Sequence, residues 1–191
     1  MWLTSAANGR VYAVNPRSWT VQREFLPPSV SLGITYIGSD FRLILAPAID
    51  EPDLEADRRY VYRFSPDAGF AECFACPGYS GSFLAHANGT LYLSQAWDKK
   101  LIELDDQGIA VRETQLERRP VGMTIVDGAF YLATVNEEWV DGRLERLGVD
   151  DDASSIQTLR SFPFKPRSVA FDGERFWTAD RNNHAMVSFI L

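Results

Sequence analysis

Ala87-Asn88-Gly89-Thr90-Leu91-Tyr92-Leu93-Ser94-Gln95-Ala96-Trp97-Asp98 leaves an Asn-Gly turn, runs on as a strand, and ends on an acid beside an indole. Val126-Asp127-Gly128-Ala129-Phe130-Tyr131-Leu132-Ala133-Thr134-Val135-Asn136-Glu137 and Phe171-Asp172-Gly173-Glu174-Arg175-Phe176-Trp177-Thr178-Ala179-Asp180-Arg181-Asn182 repeat the pattern. Two further copies show in the strand cores Trp2-Leu3-Thr4 and Ile44-Leu45-Ala46, which share the large-large-small order of Tyr92-Leu93-Ser94, Tyr131-Leu132-Ala133 and Phe176-Trp177-Thr178. The residues expected to close these strands are Asn8, Asp50, Asp98, Glu137 and Asn182. They lie roughly 40 to 50 residues apart, the length of one four-stranded propeller blade.

Two more columns keep the same register. Gly33, Gly81, Gly122 and Ser168 each open an apolar run after a Pro- or Gly-rich connector. Third strands begin at Val11, Tyr60, Leu101, Leu144 and Met186 and stop at turn formers such as Asn15-Pro16 and Asp105-Asp106-Gln107-Gly108. The expected fold is therefore all-β, a five-bladed β-propeller in one domain over 1–191, with blades near 1–28, 29–77, 78–117, 118–164 and 165–191. A hydrophobic share of 46% over 191 residues suffices for one substantial core, and the 13% of aromatics fall mostly on strand positions. Glu51 to Arg59 is the one helix-permissive stretch, and its charges fit a solvated loop.

The ends carry a further expectation. With strands labelled A to D from the axis outward, repeat one supplies B, C and D (Trp2 to Leu26) and repeat five supplies A, B and C (Arg167 to Leu191). The innermost strand of blade 1 and the outermost strand of blade 5 are thus missing. A single preceding segment of roughly 20 residues would supply both, at about 3.3 Å per strand residue. Met1 then reads as a downstream start or a truncation; the other reading is a ring whose end blades are three-stranded. Either way two sheet edges stay open, which points to a homodimer formed edge to edge.

A net charge of −7 repels phosphate backbones and anionic bilayers, so nucleic acid and membrane are not expected partners. The start Met1-Trp2-Leu3-Thr4 has no signal-peptide pattern and no apolar run reaches membrane-spanning length, which places the chain in the cytoplasm. Cys73 and Cys76 form a Cys-x-x-Cys pair on an expected outer strand and read as reduced structural thiols. A redox-sensitive or bridged pair, or a zinc site completed by His86 and His184, are the other readings.

Propeller topology sends the B–C and D–A loops to one face and the A–B and C–D loops to the other. The first face collects 7–9, the long 50–57 loop, 95–98, 136–141 and 180–184, whereas the opposite face carries the tight turns at Gly38, Asn88-Gly89, Asp127-Gly128 and Asp172-Gly173. Trp97, Asp98, Glu137, Trp139 and Asn182 are the ligand-binding candidates. Asp98, Glu137, Asp180 and Asn182 are the candidate oxygen ligands for Ca²⁺ or another divalent cation. His184 and Asp180 are the candidate catalytic groups. Turn chemistry is the competing explanation for every Asn and Asp here, a solvated acidic loop for Glu137, Glu138 and Asp141, and packing on a neighbouring blade for the two indoles. There is no Gly-x-Ser-x-Gly, phosphate loop or dinucleotide fingerprint.

Runs such as Asn88-Gly89-Thr90-Leu91-Tyr92-Leu93-Ser94 followed by Lys100-Leu101-Ile102-Glu103-Leu104-Asp105 resemble the repeat of the YncE, NHL, SMP-30/gluconolactonase and glutamine cyclotransferase-like propellers, and the whole chain resembles bacterial members of that superfamily. Gluconolactonase-like members imply a divalent cation held by Glu, Asn and Asp; their early Glu would fall in the segment missing from repeat one. Glutamine cyclotransferase-like members imply a Phe-Thr-Gln-Gly-Leu stretch; the comparable place here is Ser80-Gly81-Ser82-Phe83-Leu84, without the Gln. Two functions follow as expectations: a propeller that binds a small ligand or a protein through the B–C/D–A face, and a cation-dependent hydrolase or lactonase of SMP-30 type.

Overall fold

The structure, a computed structural model, describes residues 1–46 and 58–191. Asp50, the long 50–57 loop and most of the Glu51 to Arg59 stretch lie outside the described residues. The fold is all-β, a five-bladed β-propeller whose first and last blades are three-stranded. Blade 1 comprises β1 (Trp2–Ser5), β2 (Arg10–Val14) and β3 (Val21–Phe25). Blade 2 comprises β4 (Val30–Ile37), β5 (Asp40–Ala46), β6 (Tyr60–Ser65) and β7 (Gly69–Ala75). Blade 3 comprises β8 (Phe83–Ala87), β9 (Thr90–Gln95), β10 (Lys100–Leu104) and β11 (Ala110–Gln115). Blade 4 comprises β12 (Arg119–Val126), β13 (Ala129–Val135), β14 (Gly142–Gly148) and β15 (Gln157–Phe162), and blade 5 comprises β16 (Pro166–Phe171), β17 (Phe176–Asp180) and β18 (Ala185–Phe189). Within each blade, every strand pairs antiparallel with the next in sequence. Among the described residues no helix is long and apolar enough to cross a membrane.

Hairpin chemistry explains the tight turns. Asn88 and Gly89 have φ of 51° and 84°, and Asp127 and Gly128 have φ of 48° and 72°. Both central residues of a type I′ turn need this left-handed backbone, which Asn, Asp and Gly adopt most readily.

Contacts divide the chain into two compact units, Met1–Gly81 and Ser82–Leu191. The first is held by aromatics from both of its blades. Phe64 is fully buried. It stacks on Phe70 at 4.5 Å between ring centroids and meets Phe25 edge-on at 4.9 Å, while Trp2 lies 4.6 Å from Phe41. Cys73 is an exposed free thiol and Cys76 a buried one. Burial, partly opposed by Arg59, pushes the Cys76 thiol up to about 12, so it is protonated at neutral pH.

The second unit packs Leu101, Met123, Phe130, Leu132 and Leu147 between blades 3 and 4, and Val121, Leu144, Phe162, Val169, Phe176 and Phe189 between blades 4 and 5. In blades 2, 4 and 5 the first strand is bulged where the sequence placed its Gly/Ser column. Register shifts fall between Ser31 and Ile34, Pro120 and Gly122, and Arg167 and Ala170. Backbone groups at two of these bulges, and at the start of β8, find side-chain hydroxyls from the small position of the large-large-small cores. Thr4 donates to the Leu32 carbonyl at 2.8 Å and Thr178 to the Ser168 carbonyl at 2.8 Å, while the Phe83 N–H donates to Ser94 at 3.2 Å. Ser94 and Thr178 are fully buried, so these bonds satisfy groups that water cannot reach.

Gly122 sits where the bulged β12 passes β16. A Cβ there would lie 2.3 Å from the Ser168 carbonyl carbon and 2.6 Å from the Val169 nitrogen. Both are backbone atoms and cannot swing aside. Gly122→Ala is therefore expected to lower the unfolding free energy by about 1–3 kcal/mol. Urea denaturation checks this, and an unchanged midpoint would contradict the close approach.

Candidate functional site

The candidate residues lie on or beside loops joining strands B and C of their blades. In blades 1, 3 and 5 they are the four-residue segments 6–9, 96–99 and 181–184, and the last residue of each, Gly9, Lys99 or His184, has φ of 60°, 53° or 51°. The strands themselves close two or three residues earlier than the sequence column suggested, on Ser5, Gln95 and Asp180. In this register Asn8 and Asp98 align with Asn183 rather than Asn182. The physical reason is capping by the strand-closing side chain: the Asn8 N–H donates to the Ser5 hydroxyl at 3.3 Å, and the Asn182 N–H to Asp180 at 2.9 Å.

Asp180 is buried, and both of its oxygens are engaged within its own turn. One accepts from the backbone of Asn182 and Asn183, the other from the Asn183 amide at 2.7 Å. Burial alone would raise this carboxyl, but the Asn183 and backbone donors outweigh it and hold it below the usual range. Asn182 and His184 are exposed on the same loop. This turn has the geometry of loop capping.

Blade 4 has a longer loop, 136–141, organised by Asn136. Its side-chain oxygen accepts from the N–H groups of Val140 at 2.9 Å and Asp141 at 3.1 Å, and its carbonyl accepts from the Trp139 N–H at 3.1 Å. Trp139 is thereby held in the left-handed region at φ 59°, a conformation that bulky residues avoid. Its indole turns onto Trp97, with centroids 5.5 Å apart and planes inclined by 59°.

Arg119, at the start of β12, joins the two indoles. Its guanidinium carbon lies 4.8 Å from the Trp97 ring centroid and 5.8 Å from that of Trp139. One guanidinium nitrogen donates to the Trp97 carbonyl at 3.2 Å, and another bonds Glu137. The Arg119 Nε is buried without a hydrogen-bond partner among the described residues. Lys99 donates to the other Glu137 oxygen at 2.8 Å. The Lys99 ammonium, then the Arg119 guanidinium, hold the Glu137 carboxyl below its ordinary range.

A second ionic cluster supports the loop from beneath. Arg118 donates to Thr134 at 3.1 Å and to the Asp141 carboxylate at 3.1 Å, and lies 3.6 Å from the buried Glu145, while Arg143 meets Asp141 at 2.9 Å. Burial pushes the Glu145 carboxyl up despite Thr134 and the two arginines.

The structure thus brings together three of the residues singled out from sequence, Trp97, Glu137 and Trp139, with Asp98 exposed beside them. Asp180, Asn182 and His184 belong to a separate blade-5 loop. Among the described residues no three His, Cys, Asp or Glu side chains gather so as to hold a metal ion. Sequence reading missed Lys99, Arg118 and Arg119. The available signal was the Arg118-Arg119-Pro120 step, a basic pair opening a strand in an acidic chain.

The chain matches no protein-family model and no curated protein. Among solved structures it is similar to a chain of a nidogen/laminin complex at 10% identity and TM-score 0.63, over 100% of this chain and 88% of that one. It is similar to virginiamycin B lyase from Staphylococcus aureus, solved as a catalytically inactive variant with quinupristin, at 15% identity and TM-score 0.58, over 98% of this chain. It spans 65% of that lyase. It is also similar to the PQQ-bound aldose sugar dehydrogenase from Streptomyces coelicolor at 12% identity and TM-score 0.64, over 100% of this chain and 73% of that one. At these identities the likeness is one of fold.

Glu137 has a depressed folded value, so its pairing is complete above the unfolded value and is lost as pH falls through the folded one. Indole emission is expected to change in acid below the ordinary glutamate range, and Glu137→Gln to abolish that step. A wild-type acid step that survives in Glu137→Gln would remove Glu137 as its origin.

Proposed function

We propose that this protein is a non-catalytic binding module that docks another protein on the Trp97–Arg119–Trp139 surface. The observation that carries this reading is Trp97, whose indole is 60% exposed while one side is held by Arg119. An indole fixed in place loses little further freedom on binding and offers a large apolar area, and Trp and Arg are the residues most enriched at interface hot spots. Val140, 65% exposed on the neighbouring loop, extends the apolar surface. The cation-dependent hydrolase reading has less support, because Glu137 is shared by two cations and Asp180 by its own turn amides.

Peptides selected for binding to the wild-type protein are expected to lose at least about tenfold in affinity against Trp97→Ala, a variant that should keep its melting temperature because the side chain is largely exposed. Binders indifferent to Trp97→Ala would retire this surface. Addition of Ca²⁺ or Mn²⁺ is expected to leave the melting temperature within about 1 °C, whereas a concentration-dependent rise of several degrees would restore the cation reading.

A further inference from the structure

Cations and carboxylates around this surface are unequally satisfied. Lys99 and Arg119 converge on Glu137, Lys100 meets Glu113 at 2.7 Å, and Arg118 and Arg143 converge on Asp141. Every basic side chain of these two loops and of the connector between them is therefore matched by an acid of this chain. The carboxylates are in surplus. Asp98 beside Trp97, Glu138 beside Trp139 and Glu117 on the connector before Arg119 are all exposed. Among the described residues none of the three forms an ion pair; Asp98 feels Lys100 only at longer range.

The connector and the loop are tied together. Gln115 donates its amide to the Asp98 and Lys99 carbonyls at 2.9 Å each, and the Leu116 N–H donates to the Lys99 carbonyl at 2.7 Å. This brings Glu117 alongside the Trp97 loop. Exposed Trp97, and exposed Val140 next in sequence to its ring partner Trp139, thus share these loops and their connector with carboxylates that form no ion pair, of which Glu117 is also felt by Glu145, on a chain of net charge −7.

We propose that the occupant of this surface is a basic peptide segment of a partner protein, one that sets an apolar side chain against Trp97 and lysines or arginines against Asp98, Glu117 and Glu138. The inference rests on the binding reading above and adds the sign of the partner. Acidic segments would meet uncompensated carboxylates, and like charges brought face to face oppose docking. Arginine suits this surface best, since its guanidinium both pairs with carboxylate and stacks on an indole.

Three labelled peptides of equal length test it, with leucines alternating with Lys/Arg, with Gln or with Glu, each titrated by fluorescence anisotropy. The basic peptide is expected to bind at least about tenfold more tightly than the Gln peptide, the Glu peptide most weakly, with the preference fading at high salt. Asp98→Asn/Glu117→Gln/Glu138→Gln is expected to lose about fivefold or more for the basic peptide, while the control Asp67→Asn/Asp106→Asn/Glu174→Gln, which removes the same charge elsewhere, loses less than about twofold. Equal losses in the two triple variants, equal binding of the three peptides, or no binding of the basic peptide up to about 1 mM would each overturn the inference. The underlying reading is separated by Trp97→Ala: peptides that bind regardless of charge yet are lost in Trp97→Ala leave the surface standing, and binding unaffected by Trp97→Ala removes both.

Discussion

Backbone approach where the blades' first strands bulge is the constraint on which the second unit depends. Gly122 has backbone atoms of Ser168 and Val169 where its side chain would be, so β12 and β16 can pass only while that position stays bare. The bulges in turn free peptide groups that must be satisfied out of reach of water. Hydroxyls answer them at Thr4, Ser94 and Thr178, which accounts for the small hydroxyl residue that ends three of the five strand cores. The large residues beside them fill the space between sheets. Small and large positions are two parts of one packing solution.

That rigid base lets the loops hold unfavourable conformations. Trp139 keeps a left-handed backbone because Asn136 bonds the loop from within. The result is an indole aimed at Arg119, which sits at the root of β12, where the chain enters blade 4. Arg119 also reaches the Trp97 carbonyl and Glu137. One guanidinium therefore orders two loops, and the indole it supports stays in water without collapsing onto the sheet.

The fold was legible because its signals are local. An Asn-Gly or Asp-Gly turn states its own backbone geometry, and alternation states which side chains face inward. The candidate site was only half legible. Trp97, Glu137 and Trp139 stood out as residues in search of a reason, but their common partner, Arg119, arrives from a connector whose sequence gives no sign of where it points. Asp180 is the opposite case: an acid at a strand end, a candidate cation ligand from sequence, whose oxygens accept hydrogen bonds from its own turn. The strand-end column slipped by one residue in blade 5 because hydrophobic spacing marks the strand and only capping marks where it stops.

The two thiols of blade 2 differ in accessibility and in basicity, Cys73 exposed and Cys76 buried and held protonated. A maleimide dye at neutral pH accordingly finds a single attachment point in the first unit, while Trp97 and Trp139 sit in the second as intrinsic donors. Because Trp2 and Trp19 share the first unit with the dye, energy transfer reads across the two units in a variant lacking those two indoles, and it needs no engineered cysteine.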